Sequence, residues 1–172
     1  MATELITFSI TDSNSKSKSG SSVYESAATS PSLMMEITDY NQECDYGIRY
    51  SNWLGKSNKD NNTSHIKWKF VDIPDILHIC KSRSICPASK DESRIAFDLT
   101  GIYSGLWLKI QNRDGLLSIV QMRENRSSNG VATKDLYLNG SLIKIGHEYS
   151  LSTGDVVRID RYKRQPLNIT VE

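Results

Sequence analysis

Residues 136–159 read LYLNGSLIKIGHEYSLSTGDVVRI and carry the clearest fold signal in the chain. Apolar and polar residues alternate there in short runs, which is typical of half-buried β-strands. The pair Asn139-Gly140 favours a tight hairpin, because both residues tolerate the positive φ angles that a two-residue turn requires. A second turn is predicted at Ser152-Thr153-Gly154, between two of these runs. The segment therefore predicts a series of short strands joined by turns.

The same pattern extends outward in both directions, from residue 65 to the run LNITV near residue 170. Ile66, Trp68 and Phe70 alternate with lysines, which predicts a strand with one buried face. Another hairpin is predicted at Asp114-Gly115, between two apolar runs. About eight or nine short strands at regular spacing, with no convincing amphipathic helix, indicate an all-β sandwich or barrel.

The first third of the chain has a different composition. Residues 1–32 are rich in serine and carry little apolar area to offset the entropy of ordering, so they are predicted to be mostly disordered. Residues 33–64 contain aromatic residues without a clear period and end in a polar loop, GKSNKDNNTS. Either a strand pair packed on the main domain or a short helix near residues 33–40 would fit this irregular segment. The β-sandwich domain is predicted at 65–172.

Charge, hydropathy and cysteine content bound the class of protein. The formal charge of +1 argues against a generally basic protein that coats nucleic acid. No apolar run approaches the roughly 20 residues that span a bilayer, and the start MATELITFSI lacks the features of a signal peptide. Cys44, Cys80 and Cys86 have no metal-ligand spacing and are predicted to be reduced thiols. These features predict an intracellular protein, cytoplasmic or nuclear, without a transmembrane segment.

The order of segments between residues 66 and 171 resembles a degenerate forkhead-associated (FHA) domain, a β-sandwich that binds phosphothreonine. ILHICKS (76–82) is similar to the family's Ile-Gly-Arg strand end, and SRIAFDL (93–99) to its Ser-Arg-x-His-Ala segment. SSNG (127–130) resembles the Ser-x-Asn-Gly loop, and residues 136–159 resemble the closing segment of the family. The resemblance implies an FHA-like antiparallel sandwich that binds a peptide through its loops.

The resemblance also implies individual site residues. Ser93 would donate to phosphate, with Ser104 as the alternative serine, and Asn129 would hold the peptide main chain. A cation near them would neutralise the phosphate. The full set of implied phosphopeptide-binding residues is Lys81, Arg83, Ser93, Arg94, Ser104 and Asn129.

The chain departs from the family pattern at two of these places. Cys80-Lys81 stands where the family has Gly-Arg, with Arg83 two residues later. Ala96 stands where the family has the histidine that supports the binding loop. Lysine is a point charge, whereas the planar guanidinium of arginine matches phosphate oxygens. The departures therefore affect the residues that would bind phosphate rather than those that form the strands.

We expect a non-catalytic protein-interaction module that binds a phosphorylated or acidic peptide of a protein partner. His65, His78 and His147 lie far apart and outside any recognisable catalytic context, so no enzyme, cofactor or metal site is expected.

Two other functions are open. The chain could be a small structural or assembly protein, viral matrix-like or accessory, that self-associates through aromatic patches. Alternatively, a basic cluster with an aromatic residue inside it could bind nucleic acid, by phosphate contact and stacking. That cluster consists of Arg158, Arg161, Tyr162, Lys163 and Arg164.

Overall fold

A computed structural model describes residues 30–51, 57–61, 64–81 and 92–172. Within these ranges the chain forms thirteen β-strands and no helix, so the predicted all-β class is confirmed. In chain order the strands are β1 (Leu33–Ile37), β2 (Gly47–Ser51), β3 (Ser57–Asn61), β4 (Ile66–Phe70), β5 (Ile76–Cys80), β6 (Ser93–Asp98), β7 (Trp107–Arg113), β8 (Leu116–Gln121), β9 (Leu136–Leu138), β10 (Ser141–Leu142), β11 (Glu148–Leu151), β12 (Val156–Arg161) and β13 (Arg164–Val171).

The strands form two sheets that share one apolar core, as in a β-sandwich. The seven-stranded sheet has the order β10-β9-β12-β13-β1-β4-β3, and the six-stranded sheet has the order β11-β8-β7-β5-β6-β2. Every pairing between the described strands is antiparallel except that of β5 with β6, which run parallel. The predicted sandwich is therefore confirmed, with one parallel pair that the sequence did not indicate.

Alternation of side chains builds the core. In β4, Ile66, Trp68 and Phe70 are buried, whereas the two lysines between them point to the other face. In β13, Leu167 and Ile169 are buried at every second position in the same way. Successive side chains of a strand point to opposite faces, so each of these strands contributes one apolar face to the core.

Two of the predicted hairpin turns have the expected backbone. Asp114 and Gly115 have φ angles of 55° and 89°, and they connect β7 with β8. Asn139 and Gly140 have φ angles of 49° and 84°, between β9 and β10. Positive φ at both central residues gives a two-residue turn the twist that antiparallel strands need, so each pair sets the register of its hairpin.

Strand β1 lies inside the seven-stranded sheet, between β13 and β4. Leu33 is opposite Val171 on one side and Phe70 on the other, and it is completely buried. The segment 33–64, which the sequence predicts to be irregular, thus contributes β1, β2 and β3. The sandwich therefore does not begin at residue 65, because residues before it supply strands of both sheets. Pro31–Glu172 forms one compact unit. The predicted disordered tail lies outside the described residues except for 30–32.

The cysteines do not all behave as predicted. Cys80, completely buried at the end of β5, is disulfide-bonded, whereas Cys44 is a free thiol. The prediction of reduced thiols is therefore wrong for Cys80, and Cys86 lies outside the described residues. Spacing along the sequence cannot decide such pairing, because a disulfide depends on how close the fold brings two Cα atoms.

Candidate binding surface at one end of the sandwich

One end of the six-stranded sheet gathers most of the loops that the sequence marks for binding. β5 ends there and β7 begins there, since Cys80 lies opposite Trp107. β6 and β8 also end there, with Ala96 opposite Cys80 and Gln121 opposite Leu108. We call this the loop end, and define it by Lys81 and by the loops 99–106 and 122–135.

Lys81 follows the last residue of β5 and is partly buried at the loop end. Its ammonium group donates a hydrogen bond to the carbonyl oxygen of Leu99. Burial lowers the pKa of Lys81, and Arg161 lowers it further, while Asp98 and Asp45 act in the opposite direction. Its positive charge is therefore costly in the free protein, and an anion bound beside it would offset that cost.

Ser104 and Asn129 are both exposed in the two loops of this end. Ser104 lies in a turn in which the amide of Leu106 donates to the carbonyl of Tyr103 at 3.2 Å. Asn129 lies in a turn in which the amide of Gly130 donates to the carbonyl of Ser127 at 2.9 Å. Both side chains can therefore reach a ligand at the surface.

Two arginines that the sequence reasoning missed belong to the same loop as Asn129. Arg123 is exposed, and its Nε donates to the carbonyl oxygen of Gly105 at 3.1 Å, which links the two loops. Arg126 pairs with Glu124 and donates to the carbonyl of Gly130, while 58% of its side chain stays exposed. The run RENRSSNG at 123–130 contains the signal, namely two arginines close to the Asn-Gly pair.

Two of the other implied residues, Ser93 and Arg94, lie away from this surface on the six-stranded sheet. Ser93 begins β6 opposite Leu77 and is buried on the inward face of the strand. Because Lys81 lies four residues beyond Leu77, Ser93 is roughly 13 Å away from it along the sheet. Arg94 lies next to His78, near the middle of the outer face. Arg83 lies outside the described residues. Of the five implied residues that the structure describes, Lys81, Ser104 and Asn129 share the loop end.

The predicted basic cluster near the end of the chain is largely occupied by an ion network. The Arg161 side chain is completely buried and contacts Asp45 at 2.9 Å and Asp39 at 3.0 Å. Arg164 contacts the same two carboxylates, at 3.0 Å and 3.2 Å. Two of the four basic residues therefore face inward, and Arg158 pairs with Asp160 at 2.9 Å. Nucleic-acid binding by this strand stays a prediction, with much of its supporting charge neutralised.

Asp45 is the centre of this network. Burial alone would raise its pKa, but the amides of Asn41 and Thr100 donate to it at 3.0 and 2.8 Å. Together with Arg161 and Arg164, these donors hold the pKa of Asp45 below its ordinary value. No sequence motif around Asp45 indicates this role, because most of its partners come from distant parts of the chain.

Trp107 lies on the outer face of β7, since Leu106 and Leu108 are completely buried on the other side. Its Nε1 donates to Nδ1 of His78 at 3.0 Å, and Arg123 lies over its ring at 5.7 Å. Nε2 of His78 lies 3.0 Å from a carboxylate oxygen of Glu92. The ring is thus engaged by the protein's own side chains rather than presented as a stacking platform.

Burial lowers the pKa of His78 below its ordinary value, because an imidazolium would have to lose its hydration. Glu92 raises the pKa, while Lys109 and Arg94 lower it further. Since Trp107 donates to Nδ1, the neutral tautomer with the proton on Nε2 fits both hydrogen bonds.

In the part of the chain that the structure describes, no three His, Cys, Asp or Glu side chains are grouped so as to hold a metal ion. The same residues form no helix with the length and hydropathy needed to cross a bilayer. Compared with protein-family models, curated proteins and solved structures, the chain matches none of them.

Proposed function

We propose that this chain is a non-catalytic protein-interaction module that binds an acidic or phosphorylated peptide segment at its loop end. The main support is that hydrogen bonds join Lys81 to the loop of Ser104, through Leu99, and that loop to the loop of Asn129, through Gly105 and Arg123. Arg123 and Arg126 add two exposed guanidinium groups to the same loops. Binding loops on a rigid β-scaffold are a common arrangement for recognition.

The ligand chemistry follows from these groups. Arg123 and Arg126 would pair with carboxylate or phosphate oxygens, for which the planar guanidinium is suited. Lys81 would contribute a point charge whose desolvation an anion would offset. Ser104 would donate its hydroxyl to the anion in place of Ser93, and Asn129 would hold the peptide main chain through its amide.

The proposal is tested by titrating the full chain with a degenerate phosphothreonine peptide library and with its unphosphorylated twin. Arg126→Gln is the informative variant and Arg113→Gln its matched control. Each arginine pairs with its own glutamate, and the side chains of Arg126 and Arg113 are 58% and 61% exposed. Arg113, however, is the last residue of β7 and lies at the end of the sheet away from the loop end. Ser104→Ala and Asn129→Ala complete the set.

We expect binding that depends on phosphate. Arg126→Gln should weaken it roughly tenfold, because one charge-assisted contact is lost, whereas Arg113→Gln should leave it unchanged. Equal weakening in both arginine variants would indicate diffuse electrostatic attraction instead of a site. Equal affinity for acidic, phosphorylated and neutral peptides would refute the proposal.

Self-association is the second candidate function. β2 is an edge strand of the six-stranded sheet, and edge strands offer unpaired backbone groups to another chain. Tyr46 and Tyr50, beside and within β2, are 76% and 46% exposed. Sedimentation of the full chain over a range of concentrations would reveal oligomers, and Tyr46→Ser would reduce them if this edge is the interface. The third candidate, nucleic-acid binding, would show an affinity that falls steeply with salt.

A further inference from the structure

Two Asn-Gly pairs lie at exposed turns of the sandwich. Asn129-Gly130 is in the loop between β8 and β9, and Asn139-Gly140 is in the turn between β9 and β10. All four residues are exposed, and both glycines have positive φ angles, of 77° and 84°. In such a pair the backbone amide of the glycine can attack the carbonyl carbon of the asparagine side chain, because glycine has no Cβ to block the approach. The two pairs are therefore sites for the same reaction, and their surroundings decide where it occurs.

The side-chain amide of Asn139 is held at both ends. Its Nδ2 donates to Oδ1 of Asp155 at 3.0 Å, and its Oδ1 accepts a hydrogen bond from the amide of Val156 at 2.9 Å. An attack by Gly140 requires the side chain to rotate toward its own main chain, and this rotation breaks both bonds. The fold therefore protects Asn139 from the reaction.

The side chain of Asn129 has no comparable restraint. In the part of the chain that the structure describes, it makes no hydrogen bond. The amide of Gly130 donates to the carbonyl of Ser127 at 2.9 Å, so a single turn bond has to open before this amide can react. An exposed loop opens locally at little cost. An added Cβ would meet nothing within 4 Å at either Gly130 or Gly140, so open space does not distinguish the pairs and the side-chain restraint does.

Nearby charges distinguish the two pairs in the same direction. The reactive form of the glycine amide is its anion, which a positive charge stabilises and a negative charge destabilises. Beside Asn129, Nη1 of Arg126 donates to the carbonyl of the glycine, although Glu124 pairs with Arg126 and offsets part of this charge. Beside Asn139, the hydrogen-bonded neighbour is the carboxylate of Asp155. The restraint is therefore the main difference, and charge adds to it.

We propose that Asn129 is a site of spontaneous deamidation in the folded protein, whereas Asn139 stays intact. The Gly130 nitrogen loses its proton to water or hydroxide and forms a bond to Cγ of Asn129. The bond from Cγ to Nδ2 breaks, and Nδ2 leaves as ammonia after taking a proton from water. Water then opens the resulting cyclic imide at one of its two carbonyl carbons, which gives aspartate or isoaspartate. Water is the only co-reactant, and nothing is oxidised or reduced.

The product changes the charge of the loop end. A neutral amide becomes a carboxylate in the loop that contains Arg123 and Arg126, two cations of the proposed peptide surface. Like charges across an interface oppose binding, so the new carboxylate would repel a phosphorylated or acidic peptide and would compete for Arg126. The surface would then lose affinity as the protein ages. This consequence rests on the proposed function, whereas the deamidation itself does not.

The test incubates the full chain at neutral pH and follows peptide masses after digestion. Replacement of the amide group by a carboxyl group changes the mass of the peptide that contains it, so Asn129 and Asn139 are measured separately. We expect deamidation at Asn129 to be roughly tenfold faster or more than at Asn139, since two side-chain hydrogen bonds protect only the latter. In urea the two rates should become similar. Equal rates in the folded chain, or an Asn129 that reacts only in urea, would overturn the proposal.

Three variants test the reasons for this difference. Asp155→Ala removes one of the two restraints on Asn139 and should accelerate deamidation there without changing the rate at Asn129. Arg126→Gln should slow the reaction at Asn129, because the amide anion loses a nearby cation. Arg113→Gln, at the other end of the sheet, is the matched control and should change neither rate. An Asn139 that stays as slow in Asp155→Ala as in the unaltered chain would contradict the role of the restraint.

The effect on binding is measured on aged protein, from which ion exchange separates the deamidated fraction. We expect that fraction to bind the phosphothreonine peptide library more weakly than the unaltered fraction does. Equal affinity of the two fractions would refute the loss of affinity with age. Binding of the unaltered fraction that does not depend on phosphate or on acidic residues would refute the proposed function, and the peptide masses would still decide the deamidation.

Discussion

Replacing Asp45 by asparagine should strongly destabilise the sandwich. The Asp45 side chain is completely buried and accepts four hydrogen bonds, two from backbone amides and two from guanidinium groups. Asparagine keeps the shape but turns one acceptor into a donor, which then faces another donor. The substitution also removes the negative charge that Arg161, itself completely buried, requires.

The magnitude follows from these contacts. Removing one partner of a buried ion pair costs about 3–5 kcal/mol, because the remaining charge stays buried without compensation. Asp39, at 3.0 Å from Arg161, retains part of the compensation, which places the expected loss toward the lower end of that range. For a chain of this length such a loss lowers Tm by roughly 6–20 °C.

Urea unfolding followed by tryptophan fluorescence measures this loss, with Asp98→Asn as the matched control. Asp98 also pairs with an arginine, Arg49 at 2.6 Å, but their side chains are 31% and 56% exposed. An exposed pair contributes about 1 kcal/mol or less. If Asp45→Asn costs no more than Asp98→Asn, the ion network does not hold the sandwich together and our reasoning is refuted.

The same network predicts a dependence on pH. The pKa of Asp45 is lower in the folded than in the unfolded protein, so its contribution is complete above the unfolded pKa. The contribution is lost as the pH falls through the folded pKa. The difference in unfolding free energy between the unaltered chain and Asp45→Asn should therefore be large at neutral pH and shrink below about pH 4. A difference that stays constant on acidification would contradict the assignment.

The remaining predictions concern separate parts of the fold. Because the pKa of His78 is lowered in the folded protein, stability should fall as the pH drops below about 6.5 and level off below the folded pKa. The fluorescence of Trp107 in the folded protein should change only around the lowered pKa of His78, where its hydrogen bond to His78 breaks, and a Trp107→Phe variant should lose that change. Gly101→Ala should cost about 1–3 kcal/mol more than Gly130→Ala in urea unfolding, since both have positive φ but only at Gly101 would the added methyl lie 2.9 Å from backbone atoms. Leu33→Ala should cost about 2–5 kcal/mol, because its side chain is completely buried, whereas a loss below 1 kcal/mol would show that β1 is not part of the core.

Local sequence patterns correctly predicted the hairpin turns and the buried faces of strands, which depend on residues close together in the chain. Asp114-Gly115 and Asn139-Gly140 have the positive φ angles that their residue types favour, and Ile66, Trp68 and Phe70 share the buried face that their alternation indicates. Each of these features depends on neighbours within a few residues, so the sequence contains all the necessary information.

Long-range pairing could not be predicted in this way. For β1 the sequence leaves a packed strand and a short helix as alternatives, because its partners β13 and β4 are remote in sequence and the segment has no clear period. Arg161 was assigned to a surface cluster, because Asp39 and Asp45 lie more than a hundred residues away. Ser93 was assigned to a binding loop by resemblance, whereas the parallel pairing of β5 with β6 turns it toward the core.

The central position of β13 has a consequence for how the protein acquires its structure. β13 lies between β12 and β1, so the earliest and latest segments of the domain are neighbours in the sheet. During synthesis the N-terminal part of the chain emerges first. The backbone groups of β1 that pair with β13 therefore have no partner until β13 has left the ribosome. Such non-local pairing folds slowly, typically in milliseconds to seconds. Until β13 is synthesised, β1 lacks its partner on that side, and this interval is when chaperone binding would protect its apolar residues from aggregation.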